Sequence, residues 1–305
     1  MDYNKDSFII CGPEISGADV IAREQTSYFK DAWRRLKENK VAIISLIILL
    51  VLVFMVIFGP MISGYQFEEI DKTARNEFPS ASHWFGTDKL GRDLFARVWV
   101  GGRVSISIAL IGTAITTIIG CIYGGISAYF GGTVDDLMMR VVEVLIAIPY
   151  LIIVILVSYV MASKSIFTLI FAMTVTGWCG VARLVRSQML SLRSQEFVMA
   201  ANALGVKPWN IIMRHMIPNT ISVVIVQVTF NIPGYIFSEA FLSFIGLGVQ
   251  PPNTSWGALA SAAQTDLAFY PYLLFFPVLM IVLTMLSFSL LGDGLRDALD
   301  PKLRK

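Results

Sequence analysis

Charge is what this 305-residue chain has little of. Charged residues make up 15% of it and apolar residues 55%, with mean hydropathy +0.68. Soluble domains carry about 25% charged residues, so too little polar surface remains here to coat a water-soluble globule. The scarcity is uneven. Between positions 142 and 292 the only acids are Glu143, Glu196, Glu239 and Asp266. Cysteine is scarce too: Cys11, Cys121 and Cys179 are odd in number, form no C-x-x-C pair, and two lie in apolar stretches. That argues against a disulfide framework or a thiolate metal site and leaves them as small buried hydrophobes. No Gly-Lys pair occurs, so there is no phosphate-binding loop, and no G-x-S-x-G is present to support a hydrolase. A net charge of +2 points to no nucleic-acid partner.

Long hydrophobic runs are what is there. A helix needs about 20 residues to cross the ~30 Å hydrocarbon layer. Six segments reach that length: Val41 to Ser63, Val104 to Phe130, Val141 to Ala162, Ile166 to Ala182, Asn219 to Phe237, and Tyr272 to Leu291. The first is preceded by about 40 polar residues and is too long for the ~7–15-residue apolar core of a signal peptide, so it is expected to stay as an anchor. The chain thus divides into a tail (1–40) with a basic helix, a first span (41–63), a loop (64–103), a five-span core (104–292) and a tail (293–305). With a cytoplasmic N-terminus, 17 Lys and Arg fall on that side and seven on the other, which favours both termini inside. Six of the seven sit in the 64–103 loop beside six acids.

Gly120, Gly124 and Ala128 recur every four residues and offer one face for close helix approach. Pro149, Pro233 and Pro277 are each expected to interrupt a span, as a packing kink or a bend that lines a cavity.

The loop between the fourth and fifth spans, 187–218, carries the most structure. Phe197, Ala200, Ala201 and Leu204 fall at helical spacing and predict one apolar face. Gly205 suits the left-handed residue that ends a helix, and Pro208 the first turn of the next. Trp209, Ile212, Met213 and Met216 repeat the apolar spacing, and Pro218 is expected to separate this second helix from the fifth span. An amphipathic hairpin lying on lipid and one docking a partner protein both fit.

Ala200-Ala201, Gly205 after three further residues, and Ile217-Pro218 resemble the E-A-A-x3-G-x9-I-x-L-P loop of ABC-importer permease subunits. Met199 stands where the family often has Glu, and His215 where it often has Ile; Glu196 lies on a neighbouring part of the same face. Trp84 to Asp93, Gly102 to Ser105, Glu239 to Pro252, Ser255 to Gly257 and Gly292 to Pro301 are similar to the dipeptide, oligopeptide and nickel group, nearest its C-type oligopeptide subunits. The resemblance runs from about Lys40 onward. It implies an all-α polytopic membrane protein of the MetI-like type I importer fold. Glu196, Ala200, Ala201, Gly205, Trp209 and Pro218 would form the loop that couples to an ATPase. It also implies a non-catalytic subunit in a bacterial or archaeal plasma membrane, with no cofactor or metal of its own. The partners would be a paralogous permease, two ATPases that bind ATP and magnesium, and an external peptide-binding protein.

Glu143 and Glu239 are the acids nearest the membrane and are candidates for the pathway or an outer gate. Phe241 and Phe244 belong with them, in a stretch expected to form a short re-entrant or surface helix at the outer rim. Asp88, Arg92 and Asp93 mark an ion-paired turn in the 64–103 loop, structural or in contact with a binding protein. His83 and His215 fall on opposite sides and cannot share a metal. An ion-driven secondary transporter would need paired deep acids or an inverted repeat, and neither is visible.

Overall fold

In the computed structural model, residues 28–163 and 165–299 are described. The helices are α1 (Tyr28–Glu38), α2 (Lys40–Ile62), α3 (Leu94–Phe130), α4 (Gly132–Ala147), α5 (Tyr150–Val160), α6 (Ile166–Arg193), α7 (Glu196–Ala203), α8 (Pro208–Ile211), α9 (Ile217–Phe244), α10 (Trp256–Ala263) and α11 (Tyr272–Leu299). Among the described residues there is no strand beyond one bridge, Thr87 to Asp93. Five rods are long and apolar enough to cross a membrane, and α4 with α5 makes a sixth if that bent pair is one span.

Both ends of the described chain lie on one side of the bundle. Leu36 of α1 and Ala42 of α2 are buried against Leu291 and Ala298 of α11. A methyl on Gly294 would collide with Ala42 Cβ, so the two ends meet without room for a side chain. An even number of crossings follows.

The expected boundaries shift in several places, with α6 running on to Arg193, into the expected 187–218 loop, and α11 to Leu299. The second span begins at Leu94 rather than Val104, because Asp93 caps it: Ala96 N donates to Asp93 Oδ1 at 2.7 Å. The third span is broken, with α4 and α5 meeting at 87°. Pro149 pushes Ile148 into an extended conformation (ψ 125°) and caps α5. By contrast Pro233 and Pro277 stay inside unbroken α9 and α11. Pro218 does not separate α8 from α9 either. A π-turn over Ile212–Met216 joins them into one rod from Pro208 to Phe244, and Asn219 Nδ2 donates to the His215 carbonyl at 2.5 Å. The wider register accommodates a residue that has no N–H to give.

Gly120 and Gly124 do form the close face, set against α6. A Cβ at Gly124 would meet the Ala182 carbonyl, and one at Gly120 would stand 2.6 Å from Val181 Cβ. Ala128 is fully buried on the same side.

Pro60, near the end of α2, cannot donate to the Val56 carbonyl. Arg103 of α3 supplies the missing donor, Nε to Val56 O at 2.8 Å, and adds Nη2 to Ile57 O at 2.7 Å. Nothing in hydropathy signals this bond; the spacing of Pro60 from a carbonyl four residues back does.

Candidate functional site

The hairpin between α6 and α9 sits on the side that holds both chain ends. Gly205 has φ +72°, Gly205 N donates to Asn202 O (3.0 Å) and Val206 N to Ala201 O (3.1 Å). These two bonds are the paired closure of a helix that ends on a left-handed residue. Lys207, extended at ψ 139°, then leads into Pro208 at the first turn of α8. The predicted helix, glycine turn and second helix are all present.

The buried face is the predicted one only in part: Ala201, Ile212 and Met216 of the two expected stripes are buried, and the rest of the first stripe is not. Val198 and Ala201 of α7 pack with Ile211, Ile212 and Met216 against Val185 and Met189 of α6 and Ala128 of α3. Phe197, Met199, Ala200, Leu204 and Trp209 face outward, Leu204 at 83% and Trp209 at 52% exposure. Periodicity found an amphipathic unit, but Val198, one position off the stripe, was the residue drawn into the bundle. Glu196 is exposed in the first turn of α7, and Pro218 is exposed at the start of α9. Tyr129 Oη of α3 donates to Asn202 Oδ1 at 2.8 Å and steadies the hairpin.

On this same side α4 and α6 hold a second feature. Arg186 donates through Nε and Nη2 to the two oxygens of Asp135, both at 2.5 Å, and Ser127 hydrogen-bonds the same carboxylate. Beside it, Asp136, Arg140, Glu143, Arg183 and Arg186 line an open cavity of about 500 Å³. Glu143 pairs with Arg140 at 2.8 Å, and both are exposed. Sequence reasoning had passed over Asp135 and Arg186, which are 51 residues apart and share no motif.

On the opposite side Glu239 is fully buried near the end of α9. Ser105 Oγ of α3 donates to it at 3.0 Å, Ser243 Oγ at 2.7 Å, and Ser255 Oγ, the cap of α10, at 2.6 Å. Ser105 and Ser255 also accept backbone N–H groups, from Trp256 and Ala258. Their hydroxyl hydrogens are thereby committed to the carboxylate. Burying a lone carboxylate costs several kcal/mol, and hydrogen bonds to a charged group return ~1.5–3 kcal/mol each. The cluster joins three helices at one point.

Phe241 and Phe244 belong to the last turns of α9 rather than to a separate re-entrant helix. Phe241 stacks on Phe237 at 6.5 Å between ring centroids, and Phe244 is exposed. The short surface helix comes later, as α10. Its Trp256 is wholly buried, with Nε1 donating to Val98 O at 2.8 Å, over the Gly101-Gly102 pair of α3.

In the 64–103 loop Asp88 accepts from Leu90 N (2.8 Å), Arg92 N (3.1 Å) and Arg92 Nε (2.8 Å). Asp93 caps α3 and meets His83 Nδ1 at 2.9 Å. Asp71 accepts from the Thr73 hydroxyl and amide, which hold its carboxyl below the usual range. His83 and His215 lie at opposite ends of the bundle, as expected. Cys121 and Cys179 are buried free thiols, and Cys11 lies outside the described residues.

Residues 116–305 match the family described as binding-protein-dependent transport system inner membrane component. Residues 27–79 match the N-terminal transmembrane domain of oligopeptide transport permease C. The chain belongs to this permease family. Its relatives match it nearly end to end. The dipeptide transport system permease protein DppC of Bacillus subtilis is 48% identical over 94% of this chain and 90% of its own length. The oligopeptide permease protein OppC of the same organism is 45% identical over 99% and 98%. Escherichia coli OppC is 41% identical over 92% and 93%. This multi-pass permease is therefore a transport component of ABC importers, which work with ATPase and substrate-binding partners.

Proposed function

We propose that this chain is the C-type half of an importer that moves oligopeptides inward across the plasma membrane of a bacterium or archaeon. Its partners are one paralogous permease, two ATPases that bind ATP and magnesium, and an external peptide-binding protein. Both termini and the α7–α8 hairpin face the cytoplasm. The observation that carries the reading is the hairpin itself. Its inner face is packed into α3 and α6, while Phe197, Met199, Leu204 and Trp209 stand in the open around a glycine turn. An apolar knob anchored this firmly to the bundle suits a groove on an ATPase better than a lipid surface, because force applied to it reaches α9 through one rod. Glu196, Ala200, Ala201, Gly205, Trp209 and Pro218 make up that coupling unit.

Glu143 sits at the inner mouth of the pathway. Phe241 and Phe244 stand at its outer rim, with Glu239 holding the helices behind them in place. Asp88, Arg92 and Asp93 shape the outer loop on which the binding protein lands. Dipeptide import is the second reading, favoured by the 48%-identical relative named for dipeptide transport.

The test is purification with co-expressed partners, followed by ATP hydrolysis with and without peptide-loaded binding protein. We expect stimulation in the native complex and its loss in Gly205→Pro, since proline cannot adopt φ +72°. Ion-driven peptide uptake by the isolated chain would overturn the reading.

A further inference from the structure

A cavity of about 230 Å³ lies between α5, α6 and α9, and no charged residue lines it. At ~1.5 Å rise per residue, Asn231 is roughly 20 Å and Ser238 roughly 9 Å below the far end of α9, so the cavity sits within the hydrocarbon depth. Its floor is Tyr235. That ring is wedged between α3 and α6, where a Cβ at Gly112 would stand 2.6 Å from it and one at Gly177 2.5 Å from its Oη. Its mouth is kept open by Gly234, where a Cβ would meet nothing within 4 Å.

The polar lining is of one kind. Tyr150, Thr176 and Ser238 bring hydroxyls, each able to donate and accept. Asn231 Oδ1 already accepts from Gln227 Nε2 at 2.8 Å, so its amide NH₂ is left to donate. The Tyr235 oxygen is buried between α3 and α6 beside Gly177 and Thr116, so the polar lining open to an occupant is that of α5, α6 and the α9 face. Uncompensated polar groups at this depth are costly, so the site calls for an occupant that donates and accepts without carrying charge. A peptide group has one N–H and one C=O. Since a water takes up ~30 Å³, the volume fits a short stretch of main chain, not a whole drug-sized ligand at ~300 Å³ or more.

We propose that this cavity is the chain's substrate subsite, gripping the uncharged backbone of a peptide in transit while leaving its side chains unread. The proposal rests on the peptide-importer reading above. It explains how a passage can be blind to side-chain charge: the charged cavity lies further along α6, at Arg183 and Arg186, and the mid-depth wall is neutral.

The experiment uses the complete transporter in proteoliposomes with saturating binding protein, measuring uptake of labelled trialanine, trilysine and triglutamate. Gly234→Phe should fill the cavity and cut uptake of all three at least tenfold in a complex that still assembles. Asn231→Asp places a charge in the neutral wall. It should lower triglutamate uptake at least fivefold relative to trilysine, and this second variant keeps the proposal testable if Gly234→Phe fails to assemble. Unchanged uptake in Gly234→Phe, or an unchanged triglutamate-to-trilysine ratio in Asn231→Asp, would overturn the subsite while leaving peptide import standing. A native complex that moves no peptide would remove the importer reading and the subsite with it.

Discussion

The two ends of the bundle are built on opposite plans. The 64–103 loop is closed on itself. Asp88 takes three donors, Asp93 caps α3, Tyr272 Oη reaches across to the Thr87 carbonyl at 2.9 Å, and Gly86 and Gly91 (both φ +79°) turn the chain tightly. The α7–α8 hairpin has a comparably exact turn at Gly205, yet it leaves its largest apolar side chains uncovered. Polar bonds made within one chain finish a surface, whereas apolar side chains held out by a rigid turn wait for another. Both meet partners in the reading above, the first as a loop braced by its own polar bonds and the second as an apolar knob.

That contrast can be broken most violently at Gly91. A Cβ there would overlap the Asp71 carbonyl, and the left-handed backbone adds strain. Gly91→Ala should cost at least ~3 kcal/mol and lower the unfolding temperature in detergent. Next comes Trp209→Ala, which should weaken capture of the ATPase subunits by about 2 kcal/mol, as for an aromatic anchor, read by co-purification. Its effect on the unfolding of this chain should stay within ~0.5 kcal/mol, and equal losses in both readouts would erase the distinction between the two ends. Asp93→Ala removes a helix cap and the partner of His83, for ~1–2 kcal/mol of stability. It should leave ATPase capture untouched. Smallest is Gly205→Ala, where open space leaves only backbone strain of ~1 kcal/mol, visible as faster hydrogen exchange at Val206.

Much of this architecture was readable in the residues. Run length located the spans, and Gly205 followed by Pro208 located the hairpin, because helix ends obey local rules that need no tertiary partner. Faces were another matter. Both sides of α7 are apolar, one packed on the bundle and the other held out in the open, so Phe197 and Val198 look alike until the bundle chooses between them. The start of α3 was misplaced for a related reason: hydropathy marks where hydrocarbon begins, while Asp93 marks where the helix begins. Glu239 could be found as an acid near the membrane, with Ser243 one helical turn on, but Ser105 and Ser255 come from elsewhere in the chain and only the fold brings them to it. The 87° elbow was half legible, since Pro149 announces a break and gives no angle.

The seam between α3 and α6 bears on motion. Where Gly124 meets the Ala182 carbonyl and Gly120 meets Val181, not even a methyl group fits. Ridges meshed at that spacing cannot slip past one another by a turn without first separating. The pair therefore removes one degree of freedom from the bundle, and any working stroke has to be partitioned among the remaining rods, with α3 and α6 travelling as a single strut.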